Sequence, residues 1–267
     1  MTASHTQPLP ESAVSYALAD GIATLTLDRP SRYNTLTSEV IAAMNEHLAA
    51  IAASAEVRVV IVASSGKAFS TGHDLKEMNA HRDETFYRRL LADCSRMMQA
   101  IVALPQPVIA RVQGIATAAG CQLVASCDLA VAARSARFAT NGIANGLYCA
   151  TPSVALSRVV QRKHALEMLL TGDFIDATRA FEIGLVNHVV DDAELEAATR
   201  ALALRIAEKS QYAVRLGKAS FYRQVNQGLD SAYRGTAEEL VCNLLAADGV
   251  EGLNAFIEKR PPKWQDR

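Results

Sequence analysis

The chain has 267 residues, 50% of them hydrophobic, and a formal net charge of -1. That length and apolar content suit one large core with an appendage. The near-neutral balance excludes the electrostatic footprint of a nucleic-acid binder, and the apolar runs are too short and interrupted to span a bilayer.

The start, MTASHTQPLPESAV, lacks a basic segment and an apolar stretch, so residues 1–12 read as a polar tail rather than a signal peptide. Val14 to Leu27 predicts two short strands joined at the hairpin signal Asp20-Gly21. Ser31 to Asn34 reads as a turn, and Thr37 caps a helix through about Ala53 with Val40, Ile41, Met44, Leu48 and Ile51 at helical spacing. Val57 to Ala63 is a strand. Glu84 to Leu104 is a helix with Phe86, Leu90, Leu91, Cys94, Met98 and Ile101 on its core face, stopped by Pro105 and Pro107. Val108 to Val112 and Leu129 to Ala132 are further strands, and alternation of strands with helices predicts an α/β core. Beyond Val154 helices dominate: Lys163 to Leu170, Leu195 to Lys209, Ala213 to Gln227, Ser231 to Ala247 and, past a break at Gly249, Glu251 to Glu258. Cys94, Cys121, Cys127, Cys149 and Cys242 form no C-x-x-C pair, which predicts reduced thiols and a cytoplasmic location. No His or Cys spacing suggests a metal site, and His164 and His188 read as structural.

Two stretches carry chemistry. Gln113 to Ala132, QGIATAAGCQLVASCDLAVA, passes from a strand through side-chain-poor residues into an apolar helix. The first N–H groups of such a helix are unpartnered and sit at the positive end of its dipole, a place for an anion or a developing oxyanion. Ala68 to Met78, AFSTGHDLKEM, repeats the course strand, turn, glycine, helix. Two such turns with converging N–H groups make a two-donor oxyanion hole.

Together the segments F-S-T-G-H-D-L-K-E-M and C-Q-L-V-A-S-C-D-L-A-V-A, with T-G-D-F-I-D-A-T-R-A-F-E-I-G-L-V further on, resemble the crotonase (enoyl-CoA hydratase/isomerase) superfamily from about Val14 to the C-terminus. The resemblance implies a spiral of ββα units over residues 13–200 and a C-terminal helical trimerisation region over 201–267, giving a homotrimer or a dimer of trimers. It implies an acyl-CoA substrate, with coenzyme A as part of that substrate and no permanently bound cofactor. The oxyanion donors it implies are the backbone N–H groups of His73 and Ala119. Arg32, Thr71, Gly72, Asp74, Leu75 and Lys76 are then expected beside the coenzyme, with Asp74 capping the short helix after it. Phe256 and Lys259, in A-F-I-E-K-R, match a terminal motif that reaches the coenzyme of a neighbouring subunit.

This chain departs from the family at both catalytic glutamates, with Gln122 at one position and Gly142 at the other. In that respect it resembles the hydratase-domain-containing subgroup. An amide is no general base near neutral pH and glycine has no side chain, so weak or atypical hydratase activity is expected. Restoring both as glutamate is expected to raise hydration, provided the loop accepts a side chain at Gly142. The His73 ring, Tyr148 and Cys149 are candidate replacements, and Thr140 and Asn141 candidate hydrogen-bonding groups. Three functions remain open: an enoyl-CoA hydratase/isomerase-type enzyme of fatty-acid metabolism, a malonyl-type acyl-CoA decarboxylase, and a non-catalytic acyl-CoA-binding protein.

Overall fold

The computed structural model of the protein describes residues 13–267, and the polar tail expected over 1–12 lies outside them. The hairpin forms where its sequence predicts: Asp20 at φ 53° and Gly21 at φ 74° supply the positive φ pair of a two-residue loop. It joins β1 (Val14–Ala19) to β2 (Ile22–Leu27) in antiparallel register. Thr37 caps α1 (Ser38–Ala52) by accepting from the Val40 N–H, and all five expected apolar positions of this helix are buried.

The chain then repeats a three-step course. A strand enters one sheet, the next strand enters a second sheet, and helix returns. β3 (Val59–Ser64), β4 (Ala68–Ser70), α2 (Leu75–Ala80) and α3 (Glu84–Ala103) form the first unit. β5 (Val108–Val112), β6 (Ile115–Thr117) and α4 (Ala119–Ser126) form the second. β7 (Leu129–Ala133), β8 (Arg137–Ala139) and α5 (Ala150–Val159) form the third. α6 (Arg162–Thr171), β9 (Ile175–Asp176), α7 (Ala177–Glu182) and β10 (His188–Val190) close the sheets. α8 (Leu195–Ala207), α9 (Gln211–Gln224), α10 (Leu229–Leu245) and α11 (Ala247–Ile257) follow. One sheet has the order β1-β2-β3-β5-β7-β10, parallel beyond the hairpin; the other has the order β4-β6-β8-β9, with only β9 antiparallel. This is the crotonase-like spiral of ββα units.

Each residue of β3 is buried, and alternate residues face two cores. Val60 and Val62 join α1 and α3, whereas Val59, Ile61 and Ala63 pack with Leu195, Ala203 and Ala207 of α8. Each buried valine, isoleucine or leucine here contributes about 1.5–3 kcal/mol, and each alanine less. Because α8 spans residue 200 and covers the sheet, the boundary expected at 200/201 falls inside a core helix; the helices that leave the sheet begin with α9.

α9 is tied back by a cluster that sequence reading did not anticipate. The Lys218 ammonium donates to Asp128 Oδ2 at 2.6 Å and to the Ile101 and Gln106 carbonyls. The Tyr222 hydroxyl and the Val108 N–H donate to the same carboxylate. The last helices divide at Ala246, not at Gly249. Gly249 lies inside α11, where the Asn243 carbonyl of α10 fills the space a Cβ would take. α10 buries none of its residues, and Leu229, Tyr233, Leu240 and Leu245 are exposed. Among the described residues no single helix is long and apolar enough to cross a membrane; α10 and α11 pass that test only as a pair bent by 71°.

Candidate active site

Three parallel strands of the second sheet end side by side. β4 runs into Thr71-Gly72-His73, β6 into Ala118-Ala119, and β8 into Thr140 and a 3-10 turn over Asn141–Asn145. Carboxyl ends of parallel strands are where ligands gather in α/β proteins, and a cavity of about 1150 Å³ opens there. Its walls include His73, Ala119, Gly142, Tyr148 and Cys149, together with Arg32, Thr71, Asp74, Leu75 and Lys76.

Local sequence explains why the first two turns meet. Gly72 has φ 82°, and a Cβ there would stand 3.0 Å from the Ala119 nitrogen and 3.0 Å from the Ala118 Cβ. Only glycine permits that approach. Ala118 is held at φ 49° and ψ -119° while its N–H donates to the Ala139 carbonyl at 3.0 Å. Such a conformation costs a non-glycine residue on the order of 1–3 kcal/mol. Ala119 is the first residue of α4, so its N–H has no intrahelical acceptor. Neither this N–H nor that of His73 carries a hydrogen bond among the described residues.

Buried Asn34, at φ 52°, fastens the preceding turn to this one. Its Oδ1 accepts from the Arg29 N–H, and its Nδ2 donates to the Ser65 and Ala68 carbonyls, each at 2.8 Å. The Leu36 N–H donates to the Gly72 carbonyl at 2.8 Å. Arg32 lies on the same cavity wall, where its charge is felt by Asp74.

Asp74 caps α2 as expected, accepting from the Lys76 and Glu77 N–H groups at 2.9 and 3.1 Å and from the Thr35 hydroxyl at 3.1 Å. Burial alone pushes its carboxyl up, but those hydrogen bonds and the Arg32 charge together hold it below the usual range. The Glu77 carboxylate accepts from the Ser38 N–H with both oxygens. Burial drives the His73 imidazole below its ordinary value, against the pull of Glu77, so the ring is neutral near pH 7. Its Nε2 is buried without a hydrogen-bond partner.

The two glutamate positions behave differently. Gln122 is buried on α4, its Oε1 has no partner, and it does not line the cavity. Gly142 does line it, but the loop closes over it: a Cβ would stand 2.5 Å from the Leu147 carbonyl oxygen and 2.9 Å from Cys149 Sγ. The condition attached to the double-glutamate restoration, a loop that accepts a side chain at Gly142, is therefore not met. Burial pushes the Cys149 thiol up, although a hydrogen bond from the Gly142 backbone opposes it. Tyr148 is half exposed.

Sequence reading missed part of the apolar wall. Leu91, expected on the core face of α3, lines the cavity with Met78 and Phe174, while Met97 takes a core position. Asn141 lines it too, and Thr140 Oγ1 is buried without a partner. Phe256 and Lys259 do not line this cavity: Phe256 is 84% exposed at the end of α11.

A family model described as enoyl-CoA hydratase/isomerase matches residues 18–267, and the chain belongs to that family. It is 44% identical to a Xenopus laevis protein named enoyl-CoA hydratase domain-containing protein 3, mitochondrial, over 98% of this chain and 89% of the relative. It is likewise 44% identical to the Homo sapiens protein of that name, over 97% of this chain and 84% of the relative. Among solved structures, an enoyl-CoA hydratase of Mycobacterium smegmatis superposes with a TM-score of 0.94 at 49% identity, covering 95% of this chain and 99% of the other. Human enoyl-CoA hydratase domain-containing protein 3 superposes with a TM-score of 0.92 at 45% identity, covering 94% and 99%. The vertebrate relatives are named mitochondrial, which overturns the cytoplasmic location expected from the thiols and the polar start.

Proposed function

We propose that the protein is an acyl-CoA thioester enzyme whose His73 and Ala119 N–H groups receive the thioester oxygen and stabilise its enolate. The observation that carries this reading is the packing of two strand-to-helix turns against each other, Gly72 on the Ala119 nitrogen, with both N–H groups unpartnered at one large cavity. A preorganised donor of this kind contributes about 3–4 kcal/mol of transition-state stabilisation. Coenzyme A enters as part of the substrate, and enolate formation needs no permanently bound cofactor. Arg32 and Lys76 supply the positive charge at the cavity for its phosphates, with Thr71, Asp74 and Leu75 on the same wall; Gly72 does not line the cavity but packs against Ala118 and Ala119 behind it.

The exposed apolar residues of α10 and α11 support a homotrimer or a dimer of trimers. In such an assembly Phe256 and Lys259 serve a neighbouring copy's coenzyme. Hydration of an enoyl thioester needs a base for water and an acid for the α-carbon, and the two positions are Gln122 and Gly142. Crotonyl-CoA hydration is therefore expected at least about 10³-fold slower than in a two-glutamate relative. Calorimetric titration with butyryl-CoA, beside a crotonyl-CoA hydration assay, tests the reading. Tight binding with slow hydration supports it; no binding of any acyl-CoA refutes it.

A further inference from the structure

We propose that Asp248 and Glu251 are positioning residues: they strap residues 260–267 along α11 and so hold Lys259 in place for a coenzyme phosphate. That assignment rests on the acyl-CoA reading above, in which Lys259 serves a neighbouring copy's coenzyme. Both carboxylates belong to the first half of α11. Asp248 is 3% exposed. Its Oδ1 accepts from the Gln265 N–H at 2.6 Å, and its Oδ2 accepts from the Asp266 N–H at 3.0 Å and from the Ser210 hydroxyl, which caps α9. Its own N–H donates to the Arg267 carbonyl at 3.0 Å. Asp266 carries the strap further. It accepts from the Gln211 N–H at 2.8 Å and pairs at 2.9 Å with Arg58, whose Nε donates to the Ala207 carbonyl. The start of α11, the start of α9, the end of α8 and residues 265–267 are thereby tied to one another.

Glu251 acts one turn further along. Arg260 donates to both of its oxygens, at 2.6 and 2.9 Å, and the Lys263 N–H donates to it at 2.7 Å. Trp264 lies over Gly252, where a Cβ would stand 3.4 Å from the indole ring, and its N–H donates to the Glu208 carbonyl at 3.1 Å. To fold back in this way the chain must turn sharply after α11. The turn is made at Lys259, φ 55°, with the Arg260 N–H bonded to the Ala255 carbonyl and the Lys259 N–H to the Phe256 carbonyl. This is the left-handed helix ending in which glycine is the usual residue. A lysine there is strained, and strain of this kind is held where a side chain must be presented. The Lys259 side chain is exposed, and its ammonium has no partner among the described residues, whereas Arg260 beside it is fully committed to Glu251 and Glu258. A cation carried on a fixed turn loses less freedom on binding than one on a frayed helix end.

Calorimetric titration of the whole chain with butyryl-CoA and with butyryl-pantetheine, which lacks the nucleotide phosphates, separates this role from a purely structural one. Lys259→Gly keeps the left-handed turn and deletes the ammonium. It is expected to weaken butyryl-CoA by about tenfold, the loss of one charge-assisted hydrogen bond, and butyryl-pantetheine by less than about threefold. Glu251→Gln, which keeps size and shape, is expected to weaken butyryl-CoA by about three- to tenfold and to speed amide hydrogen exchange over residues 253–267 by at least about tenfold. Combined with Lys259→Gly it is expected to add no further loss, because the carboxylate acts through the lysine. Asp248→Asn is expected to repeat the pattern; should that buried change prevent folding, Glu251→Gln decides. Equal losses for the two ligands, an undiminished Glu251→Gln loss in the Lys259→Gly background, unchanged exchange, or faster exchange with unchanged butyryl-CoA affinity would each overturn the positioning role. A Lys259→Gly protein that binds butyryl-CoA as the wild type does overturns the lysine contact and the strap's role with it, and leaves the oxyanion reading standing. Failure of the wild type to bind any acyl-CoA overturns the acyl-CoA reading itself.

Discussion

Two buried polar regions of this molecule are built in opposite ways. Around Asp128, donors from β5, α9 and its neighbours converge until the carboxylate and the Lys218 ammonium are each bonded several times over. Burial still pushes the Asp128 carboxyl up, and Lys218 draws it back. At the ends of β4, β6 and β8 polar groups are left open instead: the His73 and Ala119 N–H groups have no partner at the cavity, and His73 Nε2 and, behind the wall, Gln122 Oε1 and Thr140 Oγ1 are buried without one. A saturated cluster rigidifies a junction, whereas unpaired buried groups cost stability and persist where something else must bind. Here the saturated cluster fixes the C-terminal helices, and the unsatisfied one lies at the proposed oxyanion site.

The contrast breaks most visibly at its structural end. Lys218→Met leaves the Asp128 carboxylate buried without its counter-charge and is expected to cost about 3–5 kcal/mol, read by urea unfolding at fixed protein concentration. A change within error would mean the cluster is ornamental. Next in size is Gly142→Glu, whose side chain meets the Leu147 carbonyl. It is expected to cost about 1–3 kcal/mol, and Gln122→Glu with Gly142→Glu is expected to remain far below a two-glutamate relative in crotonyl-CoA hydration. An ordinary hydratase rate in the double variant would show that the loop yields. Gln122→Met deletes a buried unpaired oxygen and is expected to raise stability by about 1–2 kcal/mol; a lower melting temperature would show that the amide is satisfied in solution. Smallest is Ala118→Gly, which relieves the positive φ but loosens the unfolded chain, for a net gain of about 0.5–1 kcal/mol.

Sequence reading reached local features far better than convergent ones. Thr37 as a cap, Asp20-Gly21 as a hairpin and Asp74 at the start of α2 are decided within a few residues, so their signals are short-range. That β4, β6 and β8 end together depends on parallel pairing across the spiral, which no single segment encodes. Asp128 and Lys218 lie 90 residues apart, so the cluster has no sequence pattern. Leu91 has helical periodicity either way, and only the packing of α3 decides that it faces the cavity while Met97 faces the core. Gly249 resembles a helix break in sequence, yet it serves the close approach of α10. The two strand-to-helix turns are legible because they demand glycine and small residues, whereas the choice of the His73 and Ala119 N–H groups within them comes only from the resemblance. The closure of the Gly142 loop was not, because it depends on where the Leu147 carbonyl points.

Polarisation of a bound thioester by the His73 and Ala119 N–H groups is read most directly by infrared difference spectroscopy of butyryl-CoA isotopically labelled at its carbonyl carbon. Two preorganised donors in a shielded cavity are expected to move the carbonyl stretch of the bound ligand below its frequency in water. A bound thioester whose carbonyl keeps its aqueous frequency, or moves above it, contradicts the oxyanion site.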